Sequence, residues 1–180
     1  ESQFEREAST GIGELLEVVK TRAINQLWFK GKLVAVRTSK YDDYKNGIDE
    51  IVIDLETKKP LAVVDTTTNW KTKVQQFEFL KKIEHGGTVK YGVEIKDAEV
   101  KKTAYDKLPI FVVSLNPEEV ARLALELSQG RVSEMSDLLE RVIIKELLMQ
   151  SEALGRLPSV PQGIREQYSL DHHIFERLAA

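Results

Sequence analysis

Two stretches dominated by β-branched and aliphatic residues, Ile48–Leu55 and Leu61–Thr68, are separated only by Glu56-Thr57-Lys58-Lys59-Pro60. A connection this short makes an antiparallel hairpin the expected arrangement. The turn of such a hairpin fixes which positions face each other. With Thr57 and Lys58 as a two-residue loop, Asp49 faces position 66 and Asp65 faces position 50, so the two aspartates sit on neighbouring strands within about one residue of register. Opposed Cβ atoms lie about 4.5–5.5 Å apart, close enough for two carboxylates to share one divalent ion at oxygen distances of about 2.1 Å. Asp65 also ends the wholly apolar run Leu61-Ala62-Val63-Val64, where burial penalises the charged form and a cation would relieve it. The alternative is that both acids end their strands in solvent, hydrogen-bonded to turn amides.

The flanking segments predict helices and more strands. Phe4, Ala8, Ile12, Leu15, Val19 and Ala23 recur at helical spacing, the mark of a helix with one buried face. Leu33–Val36 reads as a strand, Ser39–Asn46 as a loop, and Asn46-Gly47 as a turn. Residues 70–84 carry Trp70, Val74, Phe77, Leu80 and Ile83 at helical spacing and stop at His85-Gly86-Gly87, predicting a second helix. Thr88–Ile95 and Ile110–Leu115 follow as strands, with a charged connection that includes a short strand near Val100. Asn116-Pro117-Glu118-Glu119 has the cap, the first-turn proline and the acids of a helix start. Residues 131–150 predict another amphipathic helix, and the tail from Leu157 an extended arm ending in a short helix. This order implies an α/β chain with a central mixed β-sheet flanked by helices, a core over residues 1–130, and a helical extension with a C-terminal arm over 131–180.

Composition narrows the function. The absence of cysteine removes disulfides, thiolate metal sites and cysteine nucleophiles, and a reducing, cytoplasmic setting is expected. The longest apolar runs are far shorter than the roughly 18–20 residues of a membrane span, and the polar, acidic Glu1–Glu7 does not read as a secretory leader. Because the chain opens on Glu1 rather than Met, upstream residues are expected. A net charge of −3 argues against a uniformly basic surface. However, Thr68–Lys90 holds five Lys against two Glu, whereas Asn116–Gln150 holds seven acids against four bases, so one face only suits a phosphate backbone.

Glu5-Arg6-Glu7 on the first helix, Val34-Ala35-Val36-Arg37, Ser39 in the following loop, Gly47-Ile48-Asp49 and Leu61-Ala62-Val63-Val64-Asp65-Thr66-Thr67 occur in an order that resembles the PD-(D/E)xK nuclease superfamily. Within it, the chain is most similar to the archaeal Holliday-junction resolvases. The motifs span about 65 residues and the element order about 115. The resemblance implies a restriction-endonuclease-like fold, a Mg²⁺- or Mn²⁺-dependent phosphodiesterase acting on DNA, including branched or damaged DNA, and a homodimer. It makes Asp49 and Asp65 the metal-binding carboxylates and Glu5 the helix carboxylate that helps position the ion. Glu5 lies near the apolar face of its helix, although a first-turn acid is also favoured by the helix dipole.

The departure is at Thr67, where the family has the lysine of Glu-x-Lys. That lysine activates the attacking water and offsets transition-state charge, and a neutral hydroxyl does neither as well. Lys71 or Lys73, relocated to the start of the second helix, could supply it. Otherwise the domain is a catalytically inactive relative that binds nucleic acid or a protein. Ser39, Thr67, Lys71, Lys73 and Gln75 are the candidate nucleic-acid contacts, with an ordinary solvated helix face as the alternative for the last three. Tyr41 and Tyr44 could stack on bases or cover the hairpin. His172-His173 cannot converge on one ion from adjacent positions, and neither a phosphate-binding glycine loop nor a serine-nucleophile elbow is present.

Overall fold

In chain order, the computed structural model contains α1 (Gln3–Gln26), a 3₁₀ turn (Phe29–Gly31), β1 (Leu33–Arg37), α2 (Lys40–Asn46), β2 (Glu50–Asp54), β3 (Lys59–Thr67), α3 (Phe77–His85), β4 (Gly87–Lys96), β5 (Glu99–Leu108), β6 (Ile110–Ser114), α4 (Pro117–Gln129), α5 (Glu134–Arg156) and α6 (Gln162–Ala179). It describes residues 3–69, 77–96, 99–130 and 133–180. Lys71, Lys73 and Gln75 lie outside the described residues, and so does the Glu5 side chain, although its backbone belongs to α1.

Strands β1, β2, β3 and β6 form one mixed sheet in that order, antiparallel across the first two pairings and parallel across the last. This is the mixed, helix-flanked sheet expected from the element order. Alternation along the strands sorts the side chains into two cores. Ala35, Val52, Ala62, Val64, Phe111 and Val113 face the helices, where they meet Leu16, Val19 and Ala23 of α1, Leu123 of α4, Ile143 of α5 and Tyr168 of α6. Ile51, Ile53, Val63 and Ile110 face the opposite way, against Val89 of β4. A helical layer thus covers one face of the sheet and the separate β4–β5 hairpin covers the other.

Several expectations need correcting. The connection after β2 is a four-residue turn, Leu55–Lys58, rather than a two-residue loop. Asp54 holds it by accepting from the Glu56 amide (3.0 Å) and the Thr57 hydroxyl (2.8 Å), and Lys58 takes a left-handed φ of 58°. A register shift between Val52 and Ile53 then sets Glu50 opposite Val64, one position from the expected pairing.

The expected loop at 39–46 is the helix α2. Ser39 caps its start by accepting from the Asp42 amide, and Gly47 closes it with φ 57°, a left-handed conformation natural to glycine. The connection near Val100 is a ten-residue strand, β5. The tail is an 18-residue helix, α6, not an arm with a short end. Its Ile164, Tyr168, Phe175 and Leu178 join the same core as the sheet.

Both margins of the main sheet are occupied by side chains. On β1, the Asn25 amide donates to the Ala35 carbonyl (2.9 Å) while its oxygen accepts from the Ala35 N–H (2.7 Å). On β6, Gln150 brackets Val112 in the same way (2.8 and 2.9 Å). The Tyr168 hydroxyl donates to the Ile110 carbonyl and accepts from its N–H, both at 2.9 Å.

Candidate functional site

The end of β2 meets α1 at the place where the sheet is most polar. Glu50 faces α1, and Lys20 projects to it from the helix, with 3.0 Å between ammonium and carboxylate and both side chains fully buried. Isolated buried charges are heavily penalised, so each requires the other. The Lys20 ammonium also donates to the Thr66 hydroxyl of β3, and the Thr21 hydroxyl donates to Glu50. Neither Lys20 nor Glu50 was among the residues expected from sequence. A signal was present: Lys20 lies four residues after Leu16 and three before Ala23, on the buried stripe of its own helix.

One residue earlier, Asp49 leaves the sheet toward solvent. Its amide donates to the Val64 carbonyl (3.1 Å), its carbonyl accepts from the Thr38 amide (2.9 Å), and its carboxylate accepts from the Thr66 amide (2.6 Å). Backbone pairing on both sides therefore holds it at the mouth of an open cleft, shared with Glu17 of α1, Arg37 of β1 and Tyr41, Asp43 and Tyr44 of α2. Burial, and after it the negative charge of Asp49, push the Glu17 carboxyl above its ordinary range, while Arg37, in an ion pair with Glu17, pulls it back. Glu17 and Asp49, with Glu14 and Asp43, thus line a water-accessible cleft that also holds a guanidinium.

The other expected residues are distributed differently. Asp65 is buried on β3, in register with Val112 of β6, and strand alternation places it with Val63 on the hairpin-facing side of the sheet. One step beyond the Glu50–Val64 pair, it stands across from Asp49, within the expected one residue of register. Thr67 closes β3, its hydroxyl accepting from the Asn69 amide (3.0 Å). Ser39 is engaged with Asp42 as the α2 cap, donating to its carboxylate at 2.8 Å and accepting from its amide at 3.1 Å. Among the described residues no group of three or more His, Asp or Glu side chains is placed to hold a metal ion. A two-carboxylate set, Glu17 with Asp49, is nevertheless chemically suited to a hard dication that keeps much of its water.

Comparison with known proteins adds no assignment: no family model, curated protein or solved structure matches the chain significantly.

Proposed function

We propose that this chain is a restriction-endonuclease-like domain that acts on DNA as a divalent-metal-dependent phosphodiesterase, with its reacting phosphate in the Glu17–Asp49 cleft. The observation that carries this reading is the presence of those two carboxylates in one cleft, supported by a mixed sheet whose β2 and β3 deliver the polar ends to one place. An acidic floor alone repels a phosphate. A cation between floor and ligand reconciles the two, and when bound, Mg²⁺ or Mn²⁺ supplies charge to offset the phosphate and acidifies a water. Glu17 and Asp49 would hold the ion, and Arg37, half exposed at the rim, would contact a phosphate oxygen.

A second reading is a non-cutting relative that only binds nucleic acid. It is favoured by Lys20, whose charge is sealed against Glu50 and out of reach of a substrate, and by Thr67 at the family's lysine position. Supercoiled plasmid and a four-way DNA junction, incubated with Mg²⁺ or Mn²⁺, separate the readings. The first expects nicking that Asp49→Asn abolishes while the melting temperature changes little. If wild type leaves both substrates intact with either ion yet binds them in a metal-dependent way, the second reading holds. If it neither cuts nor binds, both fall.

A further inference from the structure

Beside the cleft, three tyrosines stand outside both cores. Tyr44 is 84% exposed, Tyr91 51% and Tyr41 45%, so none of them is needed to bury the sheet. Tyr41 and Tyr44 are three residues apart on α2 and therefore share one face of it. Both also line the Glu17–Asp49 cleft. Tyr41 meets Tyr91 of β4 edge-on, with centroids 5.6 Å apart.

Cations accompany all three rings. Lys90 Nζ is 5.1 Å from the Tyr41 centroid and 5.4 Å from that of Tyr91, and Lys45 Nζ is 5.6 Å from Tyr44. The platform is also fixed. Asp42, between Tyr41 and Tyr44 in sequence, accepts from the amides of Lys90 (2.8 Å) and Tyr91 (3.0 Å) and so ties α2 to β4.

We propose that Tyr41, Tyr44 and Tyr91 form a stacking platform for unpaired bases, so that the ligand of the cleft is DNA with a single-stranded segment beside the bound phosphate. Aromatic faces recognise any base once it is unstacked, and bases inside a duplex cannot present theirs. Interleaved lysines complement the phosphates of the same strand. This rests on the cleft reading above, and it adds that specificity is for strandedness rather than sequence.

Fluorescence anisotropy with a labelled short oligo(dT) and a matched duplex, in Mg²⁺, tests it on the full chain. Wild type is expected to prefer the single strand, and Tyr44→Ala to weaken that binding ~10-fold while leaving the duplex unchanged. Tyr44→Trp should retain it. Tyr44 lies outside both cores, so its variants leave the packing intact, and Tyr91→Ala provides an independent second test. Equal affinity of wild type for both probes, or no loss in either alanine variant, overturns the platform. Asp49→Asn distinguishes the two failures. Single-strand binding that needs Tyr44 but is indifferent to Mg²⁺ and to Asp49→Asn leaves the platform standing and removes the cleft reading. Mg²⁺-dependent binding that needs Asp49 but not Tyr44 does the reverse. No binding to either probe removes both.

Discussion

Asp171 of α6 is fully buried. Its Oδ1 accepts from Gln167 at 3.0 Å, and its Oδ2 has no hydrogen-bond partner among the described residues. Burial pushes its carboxyl from the ordinary 3.8 up to about 8, with the Gln167 bond pulling the other way. Between those values the folded chain keeps a proton that the unfolded chain has released, so stability falls as pH rises from about 4 toward 8. Asp171→Asn keeps the shape without the charge. Thermal melts should show a gain of several degrees at pH 8 that vanishes near pH 4, and an equal shift at both pH values would contradict the account. Asp171 and Lys20 share a reason for being hard to read in sequence. Both occupy stripe positions of amphipathic helices, where a charged residue is ordinarily assigned to solvent, and only the three-dimensional neighbourhood shows what tolerates it. The neighbourhood of Asp49, by contrast, was legible to within one residue of register, because two β-rich runs joined by a short connection must pair.

At the scale of elements, α2 and the β4–β5 hairpin depend on one another. β4 changes register against β5 between Val89 and Gly92, and the Lys90 and Tyr91 amides are taken up by the Asp42 carboxylate. Ser39 (2.8 Å) and Asn46 (2.9 Å) donate to the same group. Burial pushes the Asp42 carboxyl up, but these bonds outweigh it and hold it below 3.8. Their contribution is therefore present above about pH 4 and is lost as the pH falls further. Asp42→Ala is expected to cost about 1–3 kcal/mol and to raise amide hydrogen exchange in Gly87–Leu108 far more than in β1–β3. Uniform acceleration across the chain would argue against a local latch. The sequence showed Asn46-Gly47 as a turn but not α2, because a seven-residue polar helix has no apolar stripe and exists through its caps and this latch. Likewise β5, mostly exposed, takes its strand form from pairing with β4 and not from its own alternation.

For the whole molecule, the mixed sheet followed from the order of elements, since β-rich and helical patterns alternated in a way few layer arrangements accommodate. The register near Asp49 did not follow, because a four-residue turn and a bulge each displace the pairing and neither leaves a sharp trace in composition. The last helix was under-read, its Pro158 and Pro161 suggesting an arm although Ile164, Tyr168, Phe175 and Leu178 keep helical spacing.

The side chains on the sheet margins bear on behaviour in solution, since unpaired strand edges invite pairing with other chains. Replacing both Asn25 and Gln150 by Ala should produce concentration-dependent association in sedimentation velocity runs under conditions where wild type does not change its sedimentation coefficient. A double variant that sediments like wild type at every concentration would show that these amides have no such role. At Ala35, Ile110 and Val112 a visiting strand must first evict a resident, so a crowded population of newly made copies meets a border already signed for on both sides, and lateral growth toward fibrils has to begin elsewhere.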